Sequence, residues 1–470
     1  MDLNRETLQE AVHEALRGWH SQGAPPATAL DELLLVQERR EELTEAGNPL
    51  ALHLATNQLL LELLELLEKQ DETGAQVLRW RFLDDDTLLR VAHRLNVSEH
   101  TVSRLQRAAL DQLAAIVMEQ EMALRDAIVH EREGQLPPPT YTHLFGIEAQ
   151  RAHLANLLLE PEGPAVTALV GIGGIGKTAL ADAVTRDLIR AVRFDRVIWL
   201  RYETRTMSGQ ALSPQHAFEA VLSELAARLG LESDTAPAGE QFAAVRHRLK
   251  GARHLVVVDN LEREAVADYL LNHLVGLTAP SKFLLTTRAR PSGQAAVRHL
   301  TLPELSLPDA GRLLRHHARE VGVAHVAQAG DEEVERIYDV TGGNPLALKL
   351  VVGLLDLLPL GQVLADLTRS RSGPVEELYR HIYWQSWRTL SEPARTLLQA
   401  MPLVSESGGE PEYLQAISGL DEEAFWPALS ELRSRSLLEV RGTLADKRYG
   451  VHRLTETFVR TEIIHWTADA

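Results

Sequence analysis

The sequence predicts a multidomain α and α/β protein: an all-α N-terminal module, a core built on a buried parallel sheet, and a mainly helical remainder. The first reason is length. At 470 residues the chain exceeds what one hydrophobic core supports, so roughly three or four domains are expected. The second is a stiff break at Gln135-Leu136-Pro137-Pro138-Pro139, which a helix cannot cross because proline has no N–H and clashes with the preceding turn. The third is a change of texture beyond that break, from helical periodicity to short apolar runs suited to strands covered on both faces.

From Met1 to about Glu133 apolar residues recur at helical spacing, through acidic, Leu-rich stretches such as LLLELLELLEKQ, with breaks at Gly23 to Pro26 and Asn48-Pro49. Residues 1–134 are therefore assigned to the helical module and 135–142 to an extended Pro-rich linker. The runs AVTALV, RVIWL, HLVVVD and KFLLTT, which end at Val170, Leu200, Asp259 and Thr287, then alternate with helical patterns and predict an α/β domain over 143–300. Helices return over 301–370. The SRSGP segment at Ser370 to Pro374 marks a joint, and 371–470 reads as helix, helix, short hairpin, helix; no repeat array is visible.

Composition sets limits. With 45% hydrophobic and 24% charged residues, folded structure is expected throughout. A formal charge of -18 opposes nonspecific polyanion binding by the whole chain, so any nucleic-acid face must be local. The absence of cysteine removes disulfides and thiolate sites and fits a reducing cytoplasm. The start MDLNRETLQE has no signal-peptide core. The apolar stretches Leu59 to Leu67 and Leu346 to Leu360 are interrupted by Glu62, Glu65, Lys349 and Asp356 and fall short of about 18 uninterrupted apolar residues. A cytoplasmic protein without a membrane partner is the expectation.

The strongest chemical feature is Gly171-Ile172-Gly173-Gly174-Ile175-Gly176-Lys177-Thr178, between an apolar strand and the helix ALADAVTRDLIR that opens at Ala179. Glycines at that spacing let successive backbone N–H groups, Ala179 included, converge on phosphate oxygens, with the positive end of the helix dipole behind them. Lys177 is placed to reach the terminal phosphates and Thr178 to ligate magnesium. Asp259, at the end of HLVVVD, is the second magnesium anchor. Asn260 follows where a water-activating acid would be expected, and an amide cannot accept that proton, so slow hydrolysis is predicted, with Glu262 as a weak candidate base. Arg288, just past KFLLTT, is placed on the phosphate side of the sheet, where a guanidinium distinguishes ATP from ADP.

Upstream, LLRVAHRLNVSEHTVSRLQR spans Leu88 to Arg107. Val91, Ala92 and Leu95 share one helix face, Asn96 suits a left-handed turn, Ser98 suits a cap, and Val102 with Leu105 faces back inward. That is helix-turn-helix spacing, within about 71–118. Arg90, Arg94, Arg104 and Arg107 form a local basic set, and His100, Thr101, Ser103 and Arg104 are placed to meet a major groove. With VLRWRFLDDD before it and RAALDQL after it, the segment resembles region four of bacterial sigma factors.

The order of motifs from His143 onward resembles the NB-ARC family, the STAND-class ATPases of plant resistance proteins, apoptosome scaffolds and bacterial regulators. HLFGIEAQ, FDRVIWL, VVVDN, FLLTTR, LPELSLPDAGRLL and TGGNPLALKLV follow in the family's sequence, with Ile147 where an Arg is usual. The resemblance implies that 301–370 is the family's helical (ARC1-like) domain, that Pro345 packs on adenine, and that 371–470 is its winged helix. It implies that His452, in Val451-His452-Arg453, reaches the β-phosphate of ADP, while Arg453 departs from the usual acid. It also implies bound ATP or ADP with Mg2+, self-association in the ATP state, and a sensor of repeats after the winged helix. This sequence ends at Ala470, so the sensor is a separate partner, or the N-terminal module also senses, or the product is truncated. A DNA-binding regulator is the leading expectation. The rivals are a defence or cell-death scaffold whose N-terminal bundle recruits an effector protein, and a DNA-stimulated ATPase.

Overall fold

The computed structural model describes residues 4–21, 28–43, 50–202, 213–231, 238–261, 263–277, 280–288, 297–370, 375–404, 408–442 and 446–465. The breaks expected near residues 23–26 and 48–49, most of the 370–374 joint, and the candidate base at 262 lie outside them. Two compact units divide the chain, Met1–Glu131 and Arg132–Ala470.

The first unit is built from helices α1 (Arg5–Arg17), α2 (Leu34–Leu43), α3 (Ala51–Gln70), α4 (Glu72–Leu78), α5 (Leu88–Leu95) and α6 (Glu99–Gly134). In α3 the leucines of the acidic run turn inward, with Leu59, Leu60, Leu63, Leu64 and Leu67 buried beside Leu8, Val12 and Leu16 of α1 and Leu113 and Val117 of α6. The interspersed acids stay on the outer face, where Glu62 pairs with Arg39 at 2.5 Å and Glu68 with Arg79 at 3.3 Å. A buried carboxylate organises the start of α2. Glu121 of α6 is fully enclosed, accepts from the backbone N–H groups of Leu34 and Leu35 at 3.1 Å each, and pairs with Arg125 at 2.7 Å. Those first-turn N–H groups have no partner inside their own helix, so a distant side chain supplies the cap.

The second unit opens with α7 (Glu148–Leu159) and the sheet strands β1 (Val166–Val170), β2 (Arg196–Arg201), β3 (His254–Leu261), β4 (Lys282–Thr287) and β5 (Val297–Thr301). Helices α8 (Lys177–Arg190), α9 (Pro214–Arg228), α10 (Ala238–Gly251) and α11 (Glu264–Leu274) connect them. All pairings are parallel, in the order β2-β3-β4-β1-β5, so β4 is inserted between β1 and β3. This brings the C-terminal ends of β1, β3 and β4 to one edge. The strands expected from apolar runs are buried on both faces. The additional strand β5 is an edge whose charged, partly exposed VRHLT sequence hides it from an apolar-run criterion.

The remaining helices are α12 (Leu307–Val321), α13 (Ala324–Ala327), α14 (Asp331–Thr341), α15 (Pro345–Leu355), α16 (Leu360–Ser370), α17 (Val375–Thr389), α18 (Glu392–Ala400), α19 (Pro411–Ser418) and α20 (Glu422–Ser434). An antiparallel hairpin of β6 (Glu439–Gly442) and β7 (Lys447–Gly450) then leads into α21 (Arg453–Phe458). One continuous apolar core runs from Leu305 to Val459, so the segments on either side of residue 370 share buried surface. Its centre is α15, whose residues from Leu346 to Leu355 are buried apart from Lys349.

Replacing Glu121 with Ala should cost about 3 kcal/mol, because Arg125 and two helix-start N–H groups lose a common buried partner. Hydrogen exchange of the full chain should show the Leu34 and Leu35 amides losing protection first.

Candidate functional site

The segment from Gly171 to Gly176 turns the chain from β1 into α8. Gly174 (φ +73°) and Gly176 (φ +102°) occupy the left-handed region, which glycine enters without steric penalty. Gly174 is also crowded: a Cβ there would stand 2.6 Å from Leu346 Cβ and 2.9 Å from the Tyr379 hydroxyl. The loop's carbonyl side is held from outside the sheet domain. Gly173 O accepts from Asn344 Nδ2 at 3.0 Å and from the Tyr379 hydroxyl at 3.2 Å, and Gly174 O accepts from Leu346 N–H at 3.3 Å. Lys177 Nζ donates to Gly171 O at 2.8 Å and to Ile172 O at 3.0 Å, which fixes the ammonium over the loop. Among the described residues no side chain caps the start of α8, so its dipole end faces the loop opening.

Beside the loop, Thr178 Oγ1 donates to Asp259 Oδ1 at 2.9 Å, and Thr286 Oγ1 of β4 donates to the same oxygen at 2.5 Å. The β4 insertion produces this junction. Asn260 has φ +80°; its N–H donates to Thr286 Oγ1 at 2.8 Å and its Nδ2 to Tyr202 O at 3.1 Å. The Arg288 guanidinium lies alongside Gly173, 3.7 Å from where a Cβ would stand.

These groups line a cavity of about 220 Å³. Of the residues expected in the site, Gly173, Gly174, Ile175, Gly176, Lys177, Thr178, Ala179, Asp259, Arg288, Pro345 and His452 all reach it, and Gly171 contributes its carbonyl to Lys177. Phe145, Leu305, Leu313 and Pro345 give one part of the wall an apolar character. Ile147 is there too, at the position where an Arg was expected from the resemblance. Tyr141 precedes them; its hydroxyl donates to Asp182 at 2.7 Å, and burial, then the Asp182 charge, push its phenol well above the usual range. Pro137 O accepts from Arg186 Nη2 at 2.7 Å, so the expected Pro-rich linker is fastened to α8.

The cavity lining also includes groups that sequence reasoning missed: Arg201 at the end of β2, Lys349 on α15, and Glu439 and Arg441 on β6. Each carries a faint signal. Lys349 is four residues from Pro345, hence on the same helix face, and Glu439 and Arg441 alternate on one strand face. Glu439 and Arg441 pair at 2.6 Å. Burial works to raise the Glu439 carboxyl, but Arg441 and the other nearby cations outweigh it and hold the group below the usual carboxylate range. His452 caps α21, its Nδ1 accepting from Leu454 N–H at 3.2 Å. The neutral ring therefore carries its proton on Nε2. Burial, opposed by Glu439 and reinforced by Lys349 and Arg441, pushes the His452 pKa down to about 4.

In the first unit, Val77, Val91, Ala92 and Val102 form a small core against Trp80, Leu88, Leu95 and Leu105. Asn96 is left-handed (φ 55°, ψ 44°), and Ser98 Oγ accepts from Thr101 N–H at 3.2 Å, giving the turn between α5 and α6. His100, Ser103, Arg104 and Arg107 are exposed, and Thr101 is half-buried. Two members of the basic set are ion-paired. Arg90 and Arg94 both pair with the buried Asp86, at 3.3 and 3.0 Å, and Arg94 also lies over the Trp80 ring.

A parallel sheet with β4 between β1 and β3, a glycine loop feeding α8, and a Thr178–Asp259 pair beside that loop define a P-loop nucleotide-binding domain. Residues 147–305 match the NB-ARC domain family and residues 66–115 match Sigma-70, region 4. Residues 147–305 thus form an NB-ARC-like P-loop nucleotide-binding domain downstream of a sigma-70 region 4-like segment. An uncharacterized WD repeat-containing protein of Nostoc sp. is 25% identical over 341 residues, 68% of this chain and 26% of its own length. Disease resistance-like protein DSC1 of Arabidopsis thaliana is 28% identical over 221 residues, 46% of this chain and 17% of its own. The chain therefore spans about a quarter or less of these relatives. A Signal Transduction ATPase with Numerous Domains from Pyrococcus horikoshii, which has a tetratricopeptide repeat sensor, aligns with a TM-score of 0.43 at 21% identity, over 69% of this chain and 43% of that one. Among the described residues, no helix is long and apolar enough to cross a membrane.

Because His452 is held neutral while its unfolded counterpart titrates near 6.5, the unfolded state binds the extra proton between about pH 6.5 and 4. Stability of the nucleotide-free chain should fall as pH drops through that window. His254 and His317 are displaced the same way by burial. The expected outcome is therefore a shallower, not absent, pH dependence of the melting temperature in His452→Asn, where Asn preserves the cap.

Proposed function

We propose that this chain is an ATP/ADP-dependent molecular switch whose nucleotide state decides how its later segments dock on the glycine loop. The observation that carries this reading is the set of contacts by which Asn344, Leu346 and Tyr379 grip the carbonyls of Gly173 and Gly174 while His452 enters the same cavity. A ligand seated in the loop would touch sheet, helical segment and hairpin at once. In this reading 301–370 is the helical domain and 371–470 the winged helix.

Each residue has a distinct task. The loop N–H groups and Lys177 hold polyphosphate oxygens, Arg288 meets the terminal phosphate, and Pro345 covers the base. His452 Nε2–H is a neutral donor for a phosphate oxygen. Thr178 and Asp259 fit Mg2+: they are hard oxygen donors 2.9 Å apart, a set that suits an ion completing its shell with phosphate and water. When bound, magnesium neutralises phosphate charge. Asn260 cannot accept a proton from water, so turnover is slow and the chain rests in one state until exchange. Shifting such a switch from mostly closed to mostly open requires about 5.5 kcal/mol of differential binding, within reach of several charge-assisted contacts acting together.

ADP would hold the docked arrangement, and ATP would release it for self-association in the cytoplasm, raising the avidity of several helix-turn-helix modules for DNA. His100, Thr101, Ser103, Arg104 and Arg107 would form the DNA face. A second reading, a defence scaffold that recruits an effector protein, is favoured by two observations: the similarity to a disease resistance-like protein, and the engagement of Arg90 and Arg94 by Asp86.

Purified protein should contain tightly held ADP as a monomer and gain mass on exchange to ATP; Lys177→Ala should lose at least a hundredfold in affinity for both nucleotides. No affinity for adenine nucleotides with magnesium would end the switch reading. Arg104→Ala with Arg107→Ala should weaken DNA binding and reduce its salt slope by about two, and absence of DNA binding even at low salt would leave the effector scaffold.

A further inference from the structure

Among the described residues, the cavity is lined by five cationic side chains, Lys177, Arg201, Arg288, Lys349 and Arg441, and by two carboxylates, Asp259 and Glu439. Asp259 is engaged by the hydroxyls of Thr178 and Thr286 and belongs to the magnesium pair. Glu439 has no such task. A site shaped only to attract polyphosphate would be weakened by a carboxylate on its wall, so its presence calls for a physical reason.

Its position supplies one. Glu439 is the first residue of β6 and shares a strand face with Arg441. Gly450 stands directly across the hairpin from Glu439, and the Arg441 guanidinium carbon lies 3.2 Å from where a Cβ on Gly450 would be, so the absence of a side chain at 450 makes room for the Glu439–Arg441 pair. Two residues later His452 enters the cavity, and Leu454 reaches within 3.3 Å of the Cβ position of Gly173, beside the Arg288 guanidinium. The hairpin and the start of α21 thus roof the part of the loop that Arg288 also faces. The Glu439 carboxylate and the His452 ring are close enough to act on each other's charge.

We infer that Glu439 makes the docked cavity selective for a nucleoside diphosphate over a triphosphate. This rests on the switch reading above. With a diphosphate, Glu439 stays paired with Arg441, and His452 Nε2–H and Lys349 meet the last phosphate. A further phosphoryl group brings like charge against Glu439 and competes with it for Arg441, so docking and triphosphate binding oppose one another. Arg288 attracts the same group. The two residues set the triphosphate preferences of the undocked and docked arrangements respectively, which is what a switch of this kind needs from its differential contacts.

The test is calorimetric binding of ADP and of a slowly hydrolysed ATP analogue, with Mg2+, to the full chain and to Glu439→Gln, Glu439→Ala and Glu439→Asp. Gln and Ala should each lower the ratio of the analogue's Kd to that of ADP by about tenfold, and Asp, which keeps the charge, should leave it near the parent value. Two neutral replacements of different shape keep the result from resting on the folding of one. An unchanged ratio in both, with both ligands still bound, overturns this inference alone. A parent chain that binds neither ligand overturns the switch reading and this inference with it.

Discussion

The glycine loop is gripped on its carbonyl side. Oxygens of Gly173 and Gly174 accept hydrogen bonds from Asn344, Tyr379 and the Leu346 N–H, groups that lie more than 170 residues further along the chain. A peptide unit has two polar ends, and tying down one end orients the other. The later segments therefore determine both the shape of the loop and its accessible face, and any change in how they pack is felt where phosphate binds. Gly174 shows how close the fit is, since even a methyl group there would collide with Leu346 and Tyr379.

The fold supports this grip from two directions. Insertion of β4 between β1 and β3 sets Thr286 against Asp259 and Asp259 against Thr178, so the sheet edge is internally hydrogen-bonded and stiff. On the other side, one apolar core continues from Leu305 to Val459. It ties α15, which carries Asn344 at its start and Lys349 in its middle, to α17, which carries Tyr379, and to the hairpin that carries Glu439 and Arg441. Displacing the hairpin would disturb a shared core as well as a few polar contacts. Such packed elements respond to a ligand by exchanging one arrangement for another more readily than by bending.

Much of this was legible in the residues. The loop at Gly171 to Thr178 announces itself because phosphate binding needs glycine where the backbone turns left-handed and a lysine at a fixed offset. The fully apolar runs of β1 to β4 announce themselves because a parallel sheet has no solvent face. Asn96 and Ser98 likewise marked the turn between α5 and α6. Strand β5 escaped notice because an edge tolerates Arg298 and His299. Arg201, Lys349, Glu439 and Arg441 escaped notice because an isolated charge in an apolar segment looks the same whether it faces solvent or a cavity. Near Arg104, likewise, nothing local reveals that Asp86 is buried and pairs with both Arg90 and Arg94.

What the sequence determined by itself is therefore the chemistry encoded over short distances: the backbone conformations, helix starts, strand burial and phosphate loop that depend on neighbours within a few positions. Only the tertiary structure decided which distant charges share an enclosure, which carbonyls of the loop are held, and that Glu439 lines the same cavity as His452. Local encoding works because φ, ψ and periodicity are properties of adjacent residues. Charge pairing across a cavity depends on where packing brings segments far apart in the chain, and no local pattern records that.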